Sequence, residues 1–335
     1  MRYLTFLLLL SLASACQKPA EFVKITGDTM GTTYIIKYEG KKNFQLQIDS
    51  LLEVINNSMS TYIKSSLISQ LNYAEAGNFI TVEPHFAKVY RQSVKICTAT
   101  GGAFDPSIMP VLEFWGFGGS QKKVSEVDSA VIDSLKMLIG MDKFSIQNAK
   151  NGIIISKSTD ARLDFSAVAK GYAVDVLSQF LMNKGIENFM VEIGGELRGH
   201  GFNDRGEHWV IGINKPVENA AERDIKDIFR VENMAVATSG NYRNYKEING
   251  QKVGHTFNPK TGYPQRSNLL SATIFAKTCL KADAYATACM VLGLEKSLQL
   301  IEASDSIEAS FIYIDSSSEL KTMLTEGAKS YQLKN

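Results

Sequence analysis

Cysteine is scarce in this chain: four in 335 residues, at positions 16, 97, 279 and 289. No two stand in a C-x-x-C pair, so neither a disulfide framework nor a cysteine-built zinc site is indicated, and the three beyond position 16 read as buried free thiols. A charge excess of one sign is also missing. The 36 Lys and Arg against 35 Asp and Glu leave a formal net charge of +1, which suggests neither nucleic acid nor an acidic membrane surface as a partner. Histidine is limited to four residues, so any His in a candidate site has few competitors for an acid–base role near neutral pH. A long hydrophobic run is absent too. The longest, Leu4 to Leu12, is interrupted by Thr5 and Ser11 and falls well short of the roughly 20 apolar residues that span a bilayer. Internal repeats and low-complexity segments are lacking, and the one polar loop-like stretch of note is GGSQKKVSEVDSA at 118–130.

What the chain does have begins at its start. MRYLTFLLLLSLASA combines Arg2, a short apolar run and small residues before Cys16, the pattern of a secretory signal. The ending Ala13-Ser14-Ala15-Cys16 resembles a bacterial lipobox, in which Cys16 becomes the lipidated first residue of the mature chain. The bland alternative is an ordinary signal cut nearby. Acyl chains on Cys16 would hold the protein to a membrane at about 0.8 kcal/mol per buried CH₂, with no spanning helix. The expectation is a signal over 1–15, a tether over 16–24, and a domain over 25–335 in the cell envelope, facing the periplasm. An apolar fraction of 44% suffices for a sizeable core.

TYIIKYE at 33–39 is rich in β-branched and aromatic residues and predicts a strand; Phe44 to Ile55 then shows helical spacing of its leucines and isoleucines. Pro84 suits a first helical position, and a stripe from Phe86 to Cys97 ends before Gly101-Gly102. Helices are predicted over 168–184, closed by Gly185, and from Lys281 to Gly293, with strands at 188–196, 208–213 and 271–276. Helices and strands mix without regular β-α alternation, so the fold class is mixed α+β within the broad α/β group.

Four stretches carry the chemistry. RLDFSAVAKG at 162–171 puts Asp164, Ser166 and small residues before a helix with Lys170 in its first turn. It reads either as a pyrophosphate seat, since a helix start favours anions, or as a capped helix with a solvated lysine. The order is wrong for a Walker loop, because Gly171 follows the lysine and no hydroxyl comes next. In TGGAFDPSIMP, Asp105-Pro106 fixes a turn and Phe104 is either core or a stacking surface. In KADAYATACMVLG, Asp283 and Thr287 lie four apart on one helix face, an oxygen pair that Mg²⁺ accepts alongside phosphates; a Thr bonded to the preceding turn explains the spacing equally well. GHTFNPKTGYP offers His255 as a candidate base or a structural histidine.

Taken in order, AFDPSIMPVLEFWGFG, LDFSAVAKGYAVD, VEIGGELRGHG, ATSGNYRNY, HTFNPKTGYP and ADAYATACMVLG resemble the ApbE family of FAD:protein FMN transferases, from about Thr29 to the last of these motifs. The resemblance implies a fold of sheets flanked by helices with an FAD site in a cleft between lobes. It also implies Mg²⁺-dependent transfer of the FMN half of FAD to a threonine of an acceptor protein, such as an FMN-binding domain of a membrane redox complex, with release of AMP. Hydrolysis of FAD to FMN and AMP, or flavin carriage without turnover, are the rival readings. Carried onto this chain, the family's pattern places Met30, Tyr62, Ala103, Phe104, Asp105, Asp164, Lys170, Thr256 and Phe257 against FAD. It assigns Ala167, Asp283, Ala286 and Thr287 to the metal, and His255 to the acceptor hydroxyl as base. One departure stands out: Asn258 occupies a position where the family pattern leads one to expect aspartate.

Overall fold

Eight strands form one sheet whose spatial order is also the order of the chain: β1 (Phe22–Thr29), β2 (Thr32–Glu39), β3 (Phe189–Ile193), β4 (Glu196–His200), β5 (Met234–Gly240), β6 (Leu269–Ala276), β7 (Ile307–Ile314) and β8 (Leu320–Leu324). Every neighbouring pair is antiparallel, so the class is α+β, with helices and small sheets inserted between strands that remain adjacent. The computed structural model describes residues 20–118, 127–216, 224–240, 245–248 and 251–333. The signal and the first four residues of the expected tether, Cys16 among them, lie outside the described residues, as does most of the polar stretch at 118–130. Residues 22–24, expected in the tether, instead open β1, where they pair with Glu39, Tyr38 and Lys37 of β2.

The sheet is covered on both faces, which explains why its central strands are apolar without alternation. In β6 seven of eight residues are buried. Ala272, Ile274 and Ala276 turn to the main core; Phe275 turns to a second cluster with Val236, Phe229, Val231, Trp209 and Ile312. That second cluster is roofed by a three-stranded sheet of Trp209–Asn214, Ile225–Val231 and Gln332–Leu333. Phe229 meets Phe275 with ring centroids 5.0 Å apart, and each such side chain contributes about 1.5–3 kcal/mol on full burial.

On the main-core face lie four principal helices: α1 (Gln45–Met59), α2 (Pro84–Ala99), α3 (Ala169–Asn183) and α4 (Cys279–Leu292). Helix α2 begins as predicted, with Pro84 in its first turn and Glu83 accepting from the Phe86 and His85 N–H groups. Helix α4 starts two residues before the predicted Lys281, because its first N–H groups are satisfied from elsewhere: Asp175 of α3 accepts from Cys279 at 2.8 Å and from Leu280 at 3.0 Å. Eleven of its fourteen residues are buried, as suits a helix with small or apolar residues all round. Cys279 and Cys289 are buried free thiols and Cys97 is a half-buried one. Among the described residues no helix is long and apolar enough to cross a membrane.

Candidate active site

The tight β1–β2 and β3–β4 turns emerge at the same end of the sheet, and β5 runs to that end as well. There a cleft of about 1890 Å³ opens between the sheet end, the start of α3, the last turn of α1 and the loop at 255–259. Apart from Ala286, and from Cys16 outside the described residues, every predicted site residue lines it: Met30, Tyr62, Ala103, Phe104, Asp105, Asp164, Ala167, Lys170, His255, Thr256, Phe257, Asp283 and Thr287. Ala286 is fully buried in the core behind them.

The close approach of α3 and α4 organises the centre. Gly171 is the residue that permits it: a Cβ there would lie 2.5 Å from the Cys279 carbonyl oxygen and 2.9 Å from the Asp283 Cβ. At this contact the Gly171 N–H donates to Asp283 Oδ2 at 3.1 Å. Gly171 is the third residue of α3, whose N-cap is Val168, so its N–H is one of the first-turn donors that no carbonyl of the helix satisfies, and Asp283 supplies the acceptor. The glycine after the lysine therefore serves helix packing, not phosphate wrapping. Asp164 and Ser166 do not cap α3 as expected. Asp164 Oδ1 instead accepts from the Ser166 N–H at 2.9 Å and the Ser166 hydroxyl at 2.6 Å, while the N-cap residue, Val168, makes no side-chain cap bond.

Lys170 is only partly solvated, and its Nζ lies 3.1 Å from Glu196 Oε1. Burial alone would favour the neutral amine, but the charges of Asp283 and Glu196 outweigh it and hold the Lys170 pKa above its ordinary value. Burial pushes Glu196 up to about 8 and raises Asp283 as well. A single ammonium faces two buried carboxylates, so it keeps its proton while the pair cannot be fully ionised at low cost. The centre is thus short of positive charge.

The walls are built by local turns. Met30 adopts φ 51° and Gly31 φ 73° in the β1–β2 turn; a positive φ at a methionine is strained by roughly 1–3 kcal/mol, and such strain collects at functional sites. Asp105 is held by Ser107, whose N–H and hydroxyl both donate to its Oδ1, at 2.9 and 2.6 Å, and burial raises its pKa. The loops bearing Asp105 and Asp164 are joined, since the Asp164 N–H donates to the Pro106 carbonyl at 2.8 Å. A parallel bridge between Ile108 and Arg162 ties the same two loops a second time. Phe104 and Ala103 are core residues that also face the cleft, so Phe104 is part of the core and of the cleft wall at once. Tyr62 stands at the rim, 70% exposed.

The 255–264 loop is fixed from behind. Phe257 packs on Trp115 and Phe117, with centroids 5.7 and 5.3 Å away, and Trp115 Nε1 donates to the Gly262 carbonyl at 2.9 Å. His255 is exposed and faces the cleft, with Thr256 buried beside it. Asn258, the departure from the expected aspartate, does not line the cleft. Its Oδ1 accepts from the Lys260 N–H at 2.9 Å and its carbonyl accepts from the Gly262 N–H at 2.8 Å, so it shapes the turn, a role that needs no charge.

For a divalent cation the relevant donors are Asp283, the Thr287 hydroxyl and the Ala167 carbonyl. Thr287 Oγ1 lies 3.4 Å from Ser239 Oγ, so the hydroxyl is turned toward the cleft end of β5. Among the described residues no group of three or more His, Cys, Asp or Glu side chains is placed to hold a metal. The donor set that fits is one carboxylate with neutral oxygens, which suits Mg²⁺ completed by waters and phosphates. Sequence reasoning gave no site role to Ser239, to Glu196 or to the cleft-facing strand residues Ile211 to Asn214. Nothing local marks them, because they reach the cleft only through strand register.

With this geometry in place, comparison with known proteins defines the class. Residues 30–311 match the ApbE family, and the chain belongs to that family. It is 37% identical over 309 residues to the FAD:protein FMN transferase of Vibrio cholerae, covering 90% of this chain and 91% of that one. It is 36% identical over 306 residues to the protein of the same name from Haemophilus influenzae, covering 88% of each. Among solved structures, the flavin transferase ApbE from Vibrio cholerae superimposes with a TM-score of 0.83 at 33% identity, over 93% of this chain and 100% of that one. The apo flavinyl transferase ApbE of Pseudomonas stutzeri gives 0.83 at 30% identity, over 93% and 97%.

Proposed function

We propose that this protein is an FAD:protein FMN transferase that moves the FMN half of FAD onto a threonine hydroxyl of an acceptor protein and releases AMP. The observation that carries the reading is the joining, at one cleft, of the α3 start with Lys170, the buried Asp283 with Thr287, and the aromatic wall at Phe104 and Phe257. In this reading the flavin and adenosine ends occupy the cleft walls, and the pyrophosphate lies at the α3 start near Lys170, where ammonium and helix dipole both favour it.

The acceptor threonine oxygen bonds to the FMN-side phosphorus as the bond from that phosphorus to the AMP oxygen breaks. His255, exposed at the cleft, accepts the threonine proton. Lys170 counters the phosphate charge, and Asp283 holds the α3 start in place through the Gly171 N–H, while Tyr62 at the rim is placed to cover the ring system and limit water. Mg²⁺, held by Asp283, Thr287 and the Ala167 carbonyl, would neutralise phosphate charge when bound. We also propose that Cys16 is lipidated, tethering the enzyme to a membrane of the cell envelope on its periplasmic side.

The test incubates the mature protein with FAD, Mg²⁺ and a candidate acceptor domain. Flavin fluorescence should travel with the acceptor through a denaturing gel, with AMP released in equal amount. AMP formed equally well without an acceptor would identify a hydrolase instead, and FAD binding with no AMP under any condition would identify a carrier. Anchoring is tested by mass spectrometry of the mature protein: an unmodified Cys16 would refute it.

A further inference from the structure

Glu196 is buried, 5% exposed, and lines the cleft. One of its oxygens is accounted for by Lys170 at 3.1 Å. The other, Oε2, is buried and has no hydrogen-bond partner among the described residues. An unpaired buried acceptor costs about 1–3 kcal/mol, so its presence calls for an explanation. Strand register supplies the placement. Glu196 opens β4 opposite Ile193, directly after Gly194 and Gly195, whose φ values of 58° and 99° make the tight turn at the cleft end of the sheet. Gly194 is packed so closely that a Cβ there would lie 2.6 Å from Thr32 Cγ2, which fixes the turn and therefore the carboxylate.

We propose that Glu196 is a ligand-contacting residue of this site, with Oε2 accepting a hydrogen bond from a sugar hydroxyl of the bound dinucleotide while Oε1 positions the Lys170 ammonium. This rests on the FAD-dependent reading above. The chemistry selects the donor. Phosphate oxygens are acceptors and are repelled by a carboxylate; they belong to Lys170. The donors that flank a dinucleotide's phosphates are hydroxyls, those of the ribityl chain on one side and of the ribose on the other. Either presents the same group to Oε2. The turn that carries Glu196 thus reads the sugar next to the phosphate that Lys170 holds.

The experiment measures equilibrium binding of FAD, FMN and ADP to the full mature protein, with Mg²⁺ and with a chelator. The proteins are wild type, Glu196→Met, Lys170→Met and the double variant, with Glu196→Gln as a nearly isosteric guard against a folding defect. If Glu196 touches the ligand, then above pH 8, where its carboxylate is ionised, Glu196→Met weakens FAD binding by about tenfold even in the Lys170→Met background, as loss of a hydrogen bond to a charged acceptor requires. Glu196→Gln shows a smaller loss on the same ligands. Loss shared by FAD and FMN but not ADP assigns the ribityl chain, and loss shared by FAD and ADP but not FMN assigns the ribose; both support the proposal. No effect of Glu196→Met once Lys170 is gone would overturn it, leaving Glu196 as a counter-ion alone. A loss confined to the Mg²⁺ series would also overturn it, giving Oε2 to the metal. Wild type that fails to bind FAD at all refutes the proposed function itself, a different result from FAD binding that is insensitive to Glu196.

Discussion

Replacing Gly171 by alanine sets two effects of opposite sign against each other. In an uncrowded helix the change stabilises by about 1 kcal/mol, since alanine is the better helix former. Here the added Cβ would meet the Cys279 carbonyl oxygen at 2.5 Å and the Asp283 Cβ at 2.9 Å, and neither backbone nor Cβ can move aside as a flexible side-chain tip would. Overpacking of this kind costs about 1–3 kcal/mol. Separating α3 from α4 also lengthens the 3.1 Å bond from the Gly171 N–H to Asp283, and hydrogen bonds to charged groups are worth roughly 1.5–3 kcal/mol. The net expectation is destabilisation by about 2–5 kcal/mol, or some 5 °C or more in melting temperature. Urea denaturation followed by tryptophan fluorescence measures the first, and FAD titration should show weaker binding because Asp283 moves with the helix. In an Asp283→Asn background the penalty should shrink, as expected for neighbours that share one contact. A Gly171→Ala protein as stable as wild type, or more so, would refute the claim that this glycine exists for helix approach.

Asp283→Asn removes the central carboxylate, and transfer should fall by at least about a hundredfold, consistent with a group that stabilises charge at the phosphates; an acceptor-flavinylation assay across Mg²⁺ concentrations checks this, and unchanged metal dependence would count against the ligand assignment. Met30→Gly should relieve the strain of φ 51° and leave stability equal or raised by up to about 1 kcal/mol, while weakening FAD binding through loss of the cleft-lining side chain; melting curves and FAD titration separate the two. For pH, Glu196 has a folded pKa of about 8 against an ordinary 4.5, so between these values the folded protein holds a proton that the unfolded chain has released. Its stabilising contribution is complete below pH 4.5 and is lost as pH rises through 8, so wild type should lose stability relative to Glu196→Gln across that window in urea titrations; a pH-independent difference would contradict the shift. Trp115→Phe removes the 2.9 Å bond to the Gly262 carbonyl and should cost about 1–3 kcal/mol, with FAD affinity falling as the 255–264 loop loosens.

Much of the site was legible because its parts sit on short, self-contained signals. The Asp-Pro turn at 105, the small residues before α3, the i, i+4 pair of Asp283 and Thr287, and the His255 loop each announce themselves locally, and their joint order carries the family resemblance. Helices α2 and α3 were recovered almost to the residue, because Pro84 and Gly185 punctuate them. The strands of the second half were harder. Those at 225–231, 234–240, 307–314 and 320–324 did not stand out in the sequence; in 307–314 the cause is burial on both faces, which removes the alternation that marks a half-buried strand. The start of α4 was misplaced for another reason: its cap is Asp175, which lies 104 positions earlier than Cys279.

By itself the sequence determined which chemical groups this protein could bring to a reaction: one carboxylate and one hydroxyl on a helix face, a lysine at a helix start, and a histidine on a turn. It also determined the local backbone that presents them, because helix periodicity, turn residues and caps act over a few positions. Only the tertiary structure decided what those groups meet. Gly171 reads locally as part of a failed phosphate loop and becomes the contact that lets Asp283, 112 positions later, receive its N–H. Glu196 reads as the residue after a turn and becomes the partner of Lys170. The physical reason is range: propensity and capping are fixed within one turn of chain, whereas desolvation and charge pairing depend on which distant segments the core brings together.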